Sequence, residues 1–478
     1  MSDHTRALVW FRADLRVDDN PALRDACASC DEVAGLFLIA GAQWREHVMS
    51  DARLHFVLGC VRELSDHLAT RNIPLLVRDV PRYDGAPDAV ASATREVGAT
   101  LVTFNREHEI NEVRRDRDVW KKLTDGGVEP RAFLDQCMTD PETVRTQEGK
   151  PYSVFTPFRK SWTKALADDP IEPLGKPAKR RVIDVRSDGV PDSVEGFGGR
   201  PGFLDEWWPP GERAARTRLT SFLKNNAASY KKQRDRADID GTSRLSPYLA
   251  VGAISPRRCV RETFDAHELA LGEWQGGPGG WISEVVWREF YRHLQHHFPR
   301  VCMGHAFRPE ADRVPWNYES EHFDAWREGR TGVPIVDAAM RQLVSIGWMH
   351  NRLRMIVAMF LTKNLLTDWR LGERFFMEHL VDGDLGSNNG GWQWSASTGT
   401  DAAPYFRIFN PYSQSMKADP EGAFIREYVP ELRHVEGDDV HDPPPLVRGY
   451  YSPPIVDVKQ SRKDAIETFK RVLKGSGA

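Results

Sequence analysis

The stretch WISEVVWREFYRHLQHH places Trp281, Glu284, Trp287, Arg288 and Tyr291 at spacings of three and four, one stripe of a helix. An aromatic stripe is ordinary core material, but here a glutamate and an arginine stand inside it. A surface-edge salt bridge explains one such stripe. A second occurs in GWMHNRLRMIVAMF, where Trp348, Asn351, Arg352 and Met355 share a face. Two aromatic faces with embedded polar groups read as walls of one cavity, flat enough for a planar ligand.

A third segment points to phosphate. In DIDGTSRLSPYLAVGAISPRR, Gly241, Thr242, Ser243 and Ser246 stand at the entrance to a helix, where free amides, the helix dipole and hydroxyls favour an anion. The same residue types also cap helices for stability alone. The stretch DGDLGSNNGGWQWSASTGTDAAPYFRIFNP, from Asp382 to Pro411, shows neither a helical nor an alternating apolar period and reads as a long functional loop. Within it Asp382 and Asp384 can accept from ribose or ring N–H groups, and Asn388 can hydrogen-bond a heteroaromatic edge. Lys231, Lys232, Arg234 and Arg236 form one basic cluster, while Arg341, Arg352 and Arg354 lie on or near a pocket helix. Both sets suit phosphate contact, whereas KPAKRR reads equally well as solvated surface.

The elements that must hold these groups follow from the rest of the chain. Its 478 residues suffice for two or more domains, and 40% apolar with 28% charged residues is ordinary for a soluble protein. No apolar run approaches the length of a membrane span, and the N-terminus lacks a signal peptide's pattern, so a cytoplasmic protein is expected. The six cysteines are sparse and irregular; Cys27 and Cys30 have no second pair to complete a zinc site, and no metal is expected. A net charge of −4 leaves nucleic-acid binding to local patches. From Arg6 to Leu134, ALVWF, VAGLFLIA, IPLLVRDV, TLVTFN and VEPRAFL read as buried parallel strands separated by helices such as DARLHFVLGCVRELSDHLATRN. That is a doubly wound α/β sheet (residues 1–137), without the glycine-rich dinucleotide fingerprint after its first strand. Residues 138–203 are Pro- and Gly-rich and read as a linker, with YSVFTPFRKSWTKAL as one short helix inside it. Residues 204–478 turn helical and concentrate the tryptophans.

The motifs LVWFRADLR, GTSRLSPYL, WREFYRHL, TGVPIVDAAMRQL, GWMHNRLRM and DGDLGSNNGGWQWSASTGTDAAPYFRIFNP, spread from Leu8 to Val472, resemble the DNA photolyase/cryptochrome family. Within it they are most similar to class I cyclobutane pyrimidine dimer photolyases of bacteria. The resemblance implies an N-terminal Rossmann-like antenna domain, a long linker and an all-α domain that holds FAD. It implies a monomeric carbon–carbon lyase that repairs DNA containing cyclobutane pyrimidine dimers, with light driving an electron from reduced FAD into a flipped-out dimer. Tyr230, Thr242, Ser243, Arg244, Leu245, Ser246, Trp348, Arg354, Asp382, Gly383, Asp384 and Asn388 would bind FAD. Glu284, Trp287, Asn351, Met355 and Trp394 would line the lesion pocket. Arg234, Arg288, Tyr291, Arg352, Leu353, Arg407 and Gln414 would complete the DNA-binding set. Trp392, Trp369 and Trp316 match an electron relay. His47, Asn111, Glu112 and Cys302 match an antenna site for 5,10-methenyltetrahydrofolate. Met303 stands where a lysine is expected, so a deazaflavin remains the alternative. Asn351 and Met355, where (6-4) photolyases carry histidines, favour cyclobutane dimers. The Trp287/Trp394 pair argues against DASH cryptochromes, and Asn388 against plant-type receptors. A flavin photoreceptor that signals without repair is the rival reading.

Overall fold

The computed structural model describes residues 5–168, 172–402 and 404–474, which form two compact units. The first comprises Met1–Ala228 and Ser243–Pro299, the second Ser229–Thr242 and Arg300–Ala478.

The first unit is built on five parallel strands, β1 (Arg6–Phe11), β2 (Glu32–Ile39), β3 (Leu75–Asp79), β4 (Leu101–Asn105) and β5 (Glu129–Phe133). Their order is β3-β2-β1-β4-β5, all parallel, a doubly wound arrangement in which the connections diverge between β1 and β4. Each expected strand is present because its apolar residues face helices on both sides of the sheet. The Gly35 backbone allows close packing, since a Cβ there would come 2.9 Å from Leu75. The stretch that reads as linker covers the β3 edge: Leu75 N–H donates to Ser187 Oγ (3.0 Å) and Val77 N–H to Asp188 Oδ2 (2.8 Å). An otherwise unpaired sheet edge is thereby satisfied. The short helix expected in this region spans Phe155–Asp168.

Trp10 and Phe104 mark the carboxyl ends of β1 and β4, at the switch point where such sheets accept ligands. Side chains fill that place. The two rings meet edge to face at 5.7 Å, and the Arg12 guanidinium lies 4.2 Å from the Trp10 centroid and 4.9 Å from that of Phe104. Below them Asn105 Nδ2 donates to Asp14 (2.6 Å) and to Asn20 (2.9 Å).

The same unit contains the Gly276–His297 helix, and Glu289 anchors it. This buried carboxylate accepts from the backbone N–H groups of Met138 and Thr139 (both 2.8 Å), from the Thr139 hydroxyl (2.6 Å) and from Trp162 Nε1 (3.0 Å). Burial pushes its pKa up, but His293 and these donors outweigh it and hold the carboxyl below its ordinary range.

The second unit is helical around one apolar cluster that includes Trp316, Trp326, Met340, Leu353, Phe360, Trp369 and Trp392. No helix among the described residues is long and apolar enough to cross a membrane.

Replacing Glu289 by alanine would strand several buried donors. A loss of ~3 kcal/mol in unfolding free energy is expected, measurable by urea denaturation. A depressed carboxyl pKa contributes stability above its unfolded value and loses it as pH falls. The gap between wild type and Glu289→Ala should therefore narrow on acidification below pH ~4.5.

Candidate functional site

The segment from Asp382 to Pro411 is not the continuous loop its sequence implies. Leu385–Ala396 is a helix of 12 residues. Its missing period has a physical reason: polar Asn388, Asn389, Gln393 and Ser395 are buried while Ser387 and Gly391 are exposed, so polarity does not sort by face. Its ends are satisfied by distant and local groups. Asp384 caps the start, accepting from Ser387 N–H (3.1 Å) and the Ser387 hydroxyl (2.5 Å). At the other end the buried Lys363 Nζ donates to Ala396 O (3.1 Å) and Ser397 Oγ (2.9 Å). Burial holds the Lys363 pKa well below its ordinary value.

This helix presents Asn388, and its amide has a determined sense. Asn388 Nδ2 donates to Glu373 O at 3.0 Å, so Oδ1 is left as the acceptor. Asn389 Nδ2 donates to Glu373 Oε1 (2.8 Å), and Gln393 Nε2 to Asn389 Oδ1 (2.8 Å). Burial raises the Glu373 pKa to about 7. No spacing in the sequence marks Glu373, which lies on the neighbouring Trp369–His379 helix.

Asp382 supplies the other informative group. Its Oδ2 accepts from Arg354 Nη2 at 2.8 Å, while Arg354 Nε donates to Met349 O at 2.8 Å. Asp382 Oδ1 is buried and has no hydrogen-bond partner among the described residues. A buried, unpaired carboxylate oxygen and an oriented amide oxygen in the same unit fit a ligand that brings N–H or O–H donors. A reduced flavin ring and a ribose both do so. The donor set of this unit therefore fits FAD.

Other expected residues of the second unit are placed as follows. Tyr230 is buried with the Arg234 guanidinium 5.7 Å from its ring centroid, and Arg352 pairs with Asp235 at 2.7 Å. Trp348 is buried, Met355, Trp394, Gln414, Cys302 and Thr242 are half-buried, and Asn351, Met303 and Arg407 are exposed. Gly383 is buried. Leu353 is fully buried in the apolar cluster, where it packs instead of facing solvent. Trp316, Trp369 and Trp392 all belong to that cluster. Trp392 meets Trp326 edge to face at 6.0 Å, and Trp316 meets Phe469 at 5.8 Å. Gly372 leaves room for Trp392, since a Cβ there would collide with the indole.

In the first unit, the phosphate segment differs from expectation in one respect. The helix it opens, Ser246–Ala250, is a single turn of five residues. So short an element has little macrodipole, so an anion there would have to rely on backbone amides and the hydroxyls of Ser243 and Ser246. Arg244 adopts φ +48°, a left-handed conformation unusual for a bulky side chain, and Leu245 beside it is buried.

The Gly276–His297 helix carries Glu284, Trp287, Arg288 and Tyr291, all half-buried. Trp287 lies flat on Phe155, with centroids 3.7 Å apart and planes at 10°, and Tyr291 packs beside it at 5.7 Å. Phe155 was invisible as a partner in the sequence because the pairing is purely tertiary. Arg288 donates to the backbone carbonyls of Gln136 (2.8 Å) and Leu249 (2.9 Å).

Three expected antenna residues also meet in this unit. Asn111 Nδ2 is 3.0 Å from His47 Nε2, His47 Nδ1 lies 3.7 Å from Glu112, and the Tyr83 hydroxyl donates to Glu112 at 3.1 Å. Burial, then the charges of Glu109 and Glu107, raise the Glu112 pKa to about 8. Burial lowers that of His47.

Residues 7–178 match the family model described as DNA photolyase, and residues 281–471 match that of the FAD binding domain of DNA photolyase. The deoxyribodipyrimidine photo-lyase of Escherichia coli K12 is 44% identical over 98% of this chain and 100% of its own length. A class III photolyase from Agrobacterium tumefaciens superposes with a TM-score of 0.88 at 33% identity, covering 99% of both chains. The archaeal photolyase of Sulfolobus tokodaii, solved with two FAD molecules, gives a TM-score of 0.82 at 30% identity over 98% of this chain and 100% of that one. The chain belongs to the DNA photolyase family.

Proposed function

We propose that this protein is a deoxyribodipyrimidine photo-lyase, a light-driven enzyme that reverses cyclobutane pyrimidine dimers in DNA. The orientation of Asn388 carries the reading. With Nδ2 committed to Glu373 O, its Oδ1 accepts from the N–H edge that a reduced flavin presents. Asp382 accepts a second donor of the ring, aimed by its hydrogen bond from Arg354. Tyr230, Thr242 to Ser246, Trp348, Gly383 and Asp384 complete the FAD set. Bound in its reduced form, FAD supplies the photoexcited electron that opens the cyclobutane ring.

The chain's own residues receive and hold the lesion. A dimer inside a duplex cannot reach a buried cofactor, so it leaves the stack at a cost of a few kcal/mol, least for damaged bases. Trp287 and Trp394 accept it by flat apolar contact, worth roughly 1–3 kcal/mol per base. Phe155 supports the far face of Trp287. Glu284, in its protonated form, donates to a pyrimidine carbonyl, and Asn351 and Met355 line the pocket. Arg234, Arg352, Arg407 and Gln414 meet the strand; Arg288, held by two backbone carbonyls, orients its helix. Trp392, Trp369 and Trp316 relay electrons that restore the reduced cofactor. Functionally the chain divides into an antenna domain (1–137), a linker (138–203) and a catalytic domain (204–478). It acts as a monomer in the cytoplasm.

For the antenna we favour 5,10-methenyltetrahydrofolate, held by His47, Asn111, Glu112 and Cys302. The side chains filling the crevice between β1 and β4 support this over a deazaflavin seated there.

Purified protein loaded with reduced FAD should restore dimer-containing DNA under blue light. Asn388→Asp places a negative charge against the anionic ring and should lower repair at least tenfold and shorten the lifetime of reduced FAD. Unchanged values for both would remove Asn388 from the cofactor's edge. Trp316→Phe should abolish photoreduction of oxidised FAD while sparing repair by pre-reduced enzyme. Photoreduction at the wild-type rate would redirect the relay, for which Trp326 is the packed neighbour of Trp392.

Glu112 gives a pH test. A carboxyl pKa raised from 4.5 to about 8 contributes stability at low pH and loses it as pH rises through that window. Thermal melts should therefore show wild type falling relative to Glu112→Gln between those limits. Methenyltetrahydrofolate, whose pterin N–H pair favours the ionised carboxylate, should narrow the loss in wild type alone.

A further inference from the structure

Outside the catalytic machinery, the end of the Gly276–His297 helix brings two imidazoles onto a carboxylate from the segment after β5. The candidate ligand atoms of Glu142, His296 and His297 all lie within 4.8 Å of one another. We propose that these three residues bind a divalent transition-metal ion of the zinc class, with water completing a tetrahedral shell.

Residue types and geometry both favour this ion. Two imidazoles and one carboxylate with an open position are a common ligand set for zinc. Ligand atoms at the usual 2.0–2.2 Å from zinc stand roughly 3.4 Å apart, so the widest pair must close by about 1.4 Å. All three side chains lie at or near the surface, where such a shift is cheap. His296 Nε2 and Glu142 Oε1 already approach to 2.6 Å, sharing a proton that the metal would replace.

His297 adds an independent sign of a ligand. Its Nε2 lies 2.9 Å from Pro141 O, and a carbonyl only accepts, so Nε2 carries the hydrogen. The neutral ring then has its lone pair on Nδ1. A second nitrogen tied to a backbone carbonyl is the usual means of orienting a metal-bound histidine.

The surroundings limit affinity without blocking the site. Arg145 engages the second oxygen of Glu142, orienting the carboxylate but opposing a dication. Asp140 is committed to Arg106 at 2.7 Å. His108 packs edge to face against His296 at 5.9 Å, and burial holds it neutral. Binding would staple the segment after β5 to the helix that bears Glu284 and Trp287, a structural role with no redox step.

The test uses full-length protein dialysed against EDTA and titrated with zinc chloride by calorimetry, with melting temperature read in parallel. One zinc per chain is expected, with a rise in melting temperature. Affinity should fall at least tenfold in His297→Gln and in Glu142→Gln, and further in His296→Gln/His297→Gln. Zinc-free melts of the variants that match wild type would show that the fold is intact, so that the loss reports on ligation. If a variant melts early, the same titration of Arg145→Gln, which keeps all three ligands and removes the opposing cation, must show tightened binding. Absence of zinc binding by wild type overturns the proposal, as does undiminished one-to-one binding by the ligand variants.

Discussion

A buried network of Arg16, Asp135, Arg257 and Asp19 joins the layers of the first unit. Asp135 accepts from Arg16 (2.5 and 3.0 Å) and from Arg257 Nη2 (2.6 Å), while Arg257 Nε reaches Asp19 at 3.2 Å. The four side chains are at most 7% exposed. Burial opposes every charge here, yet mutual attraction prevails: Arg16 is held above its ordinary pKa and Asp135 below. Such a network contributes little when complete relative to an apolar core, but loss of one member leaves an uncompensated charge. It therefore acts as a constraint on geometry. The loops after β1 and β5 and the Pro256–His267 helix must meet in one way.

The Glu289 anchor extends this constraint to the Gly276–His297 helix. Once that helix is held against Met138, Thr139 and Trp162, its Trp287 is set at a defined depth on Phe155. The role proposed for Trp287, a stacking surface for a flipped base, needs that rigidity, since apolar contact rewards only a flat, prearranged face. In the second unit a comparable task falls to Asp337. It accepts from Thr331 N–H (2.7 Å), Gly332 N–H (3.0 Å) and the Tyr451 hydroxyl, tying distant turns to the apolar cluster.

The helix that bears Asn388 shows why a site can be hidden in plain residues. Its glycines, asparagines and serines are poor helix formers, and isolated they would favour turns. Asp384 and Lys363 satisfy its two ends, and burial of most of its residues supplies what propensity withholds. Function gains from this, because an amide on a helix is held more narrowly than one on a loop.

The expected second stripe is not formed, since Trp348 precedes the helix that starts at Asn351; by itself the sequence determined the parallel sheet, the helical remainder, the mixed aromatic stripe at Trp281–Tyr291 and the family. Those are consequences of period, composition and contiguous motifs, which need no partner from elsewhere in the chain. Tertiary structure alone decided the rest. Glu373 meets Asn388 across 15 residues and Glu289 meets Met138 across 151, and no local pattern encodes either pairing. The Trp287–Phe155 stack, the cover over the β3 edge and the filled crevice at Trp10 likewise arise only when separate segments exclude water together. The Leu385–Ala396 helix is hidden from the sequence for the same reason. Its buried positions include Asn388, Asn389 and Gln393, so no apolar face forms and the period vanishes while the hydrogen bonds remain.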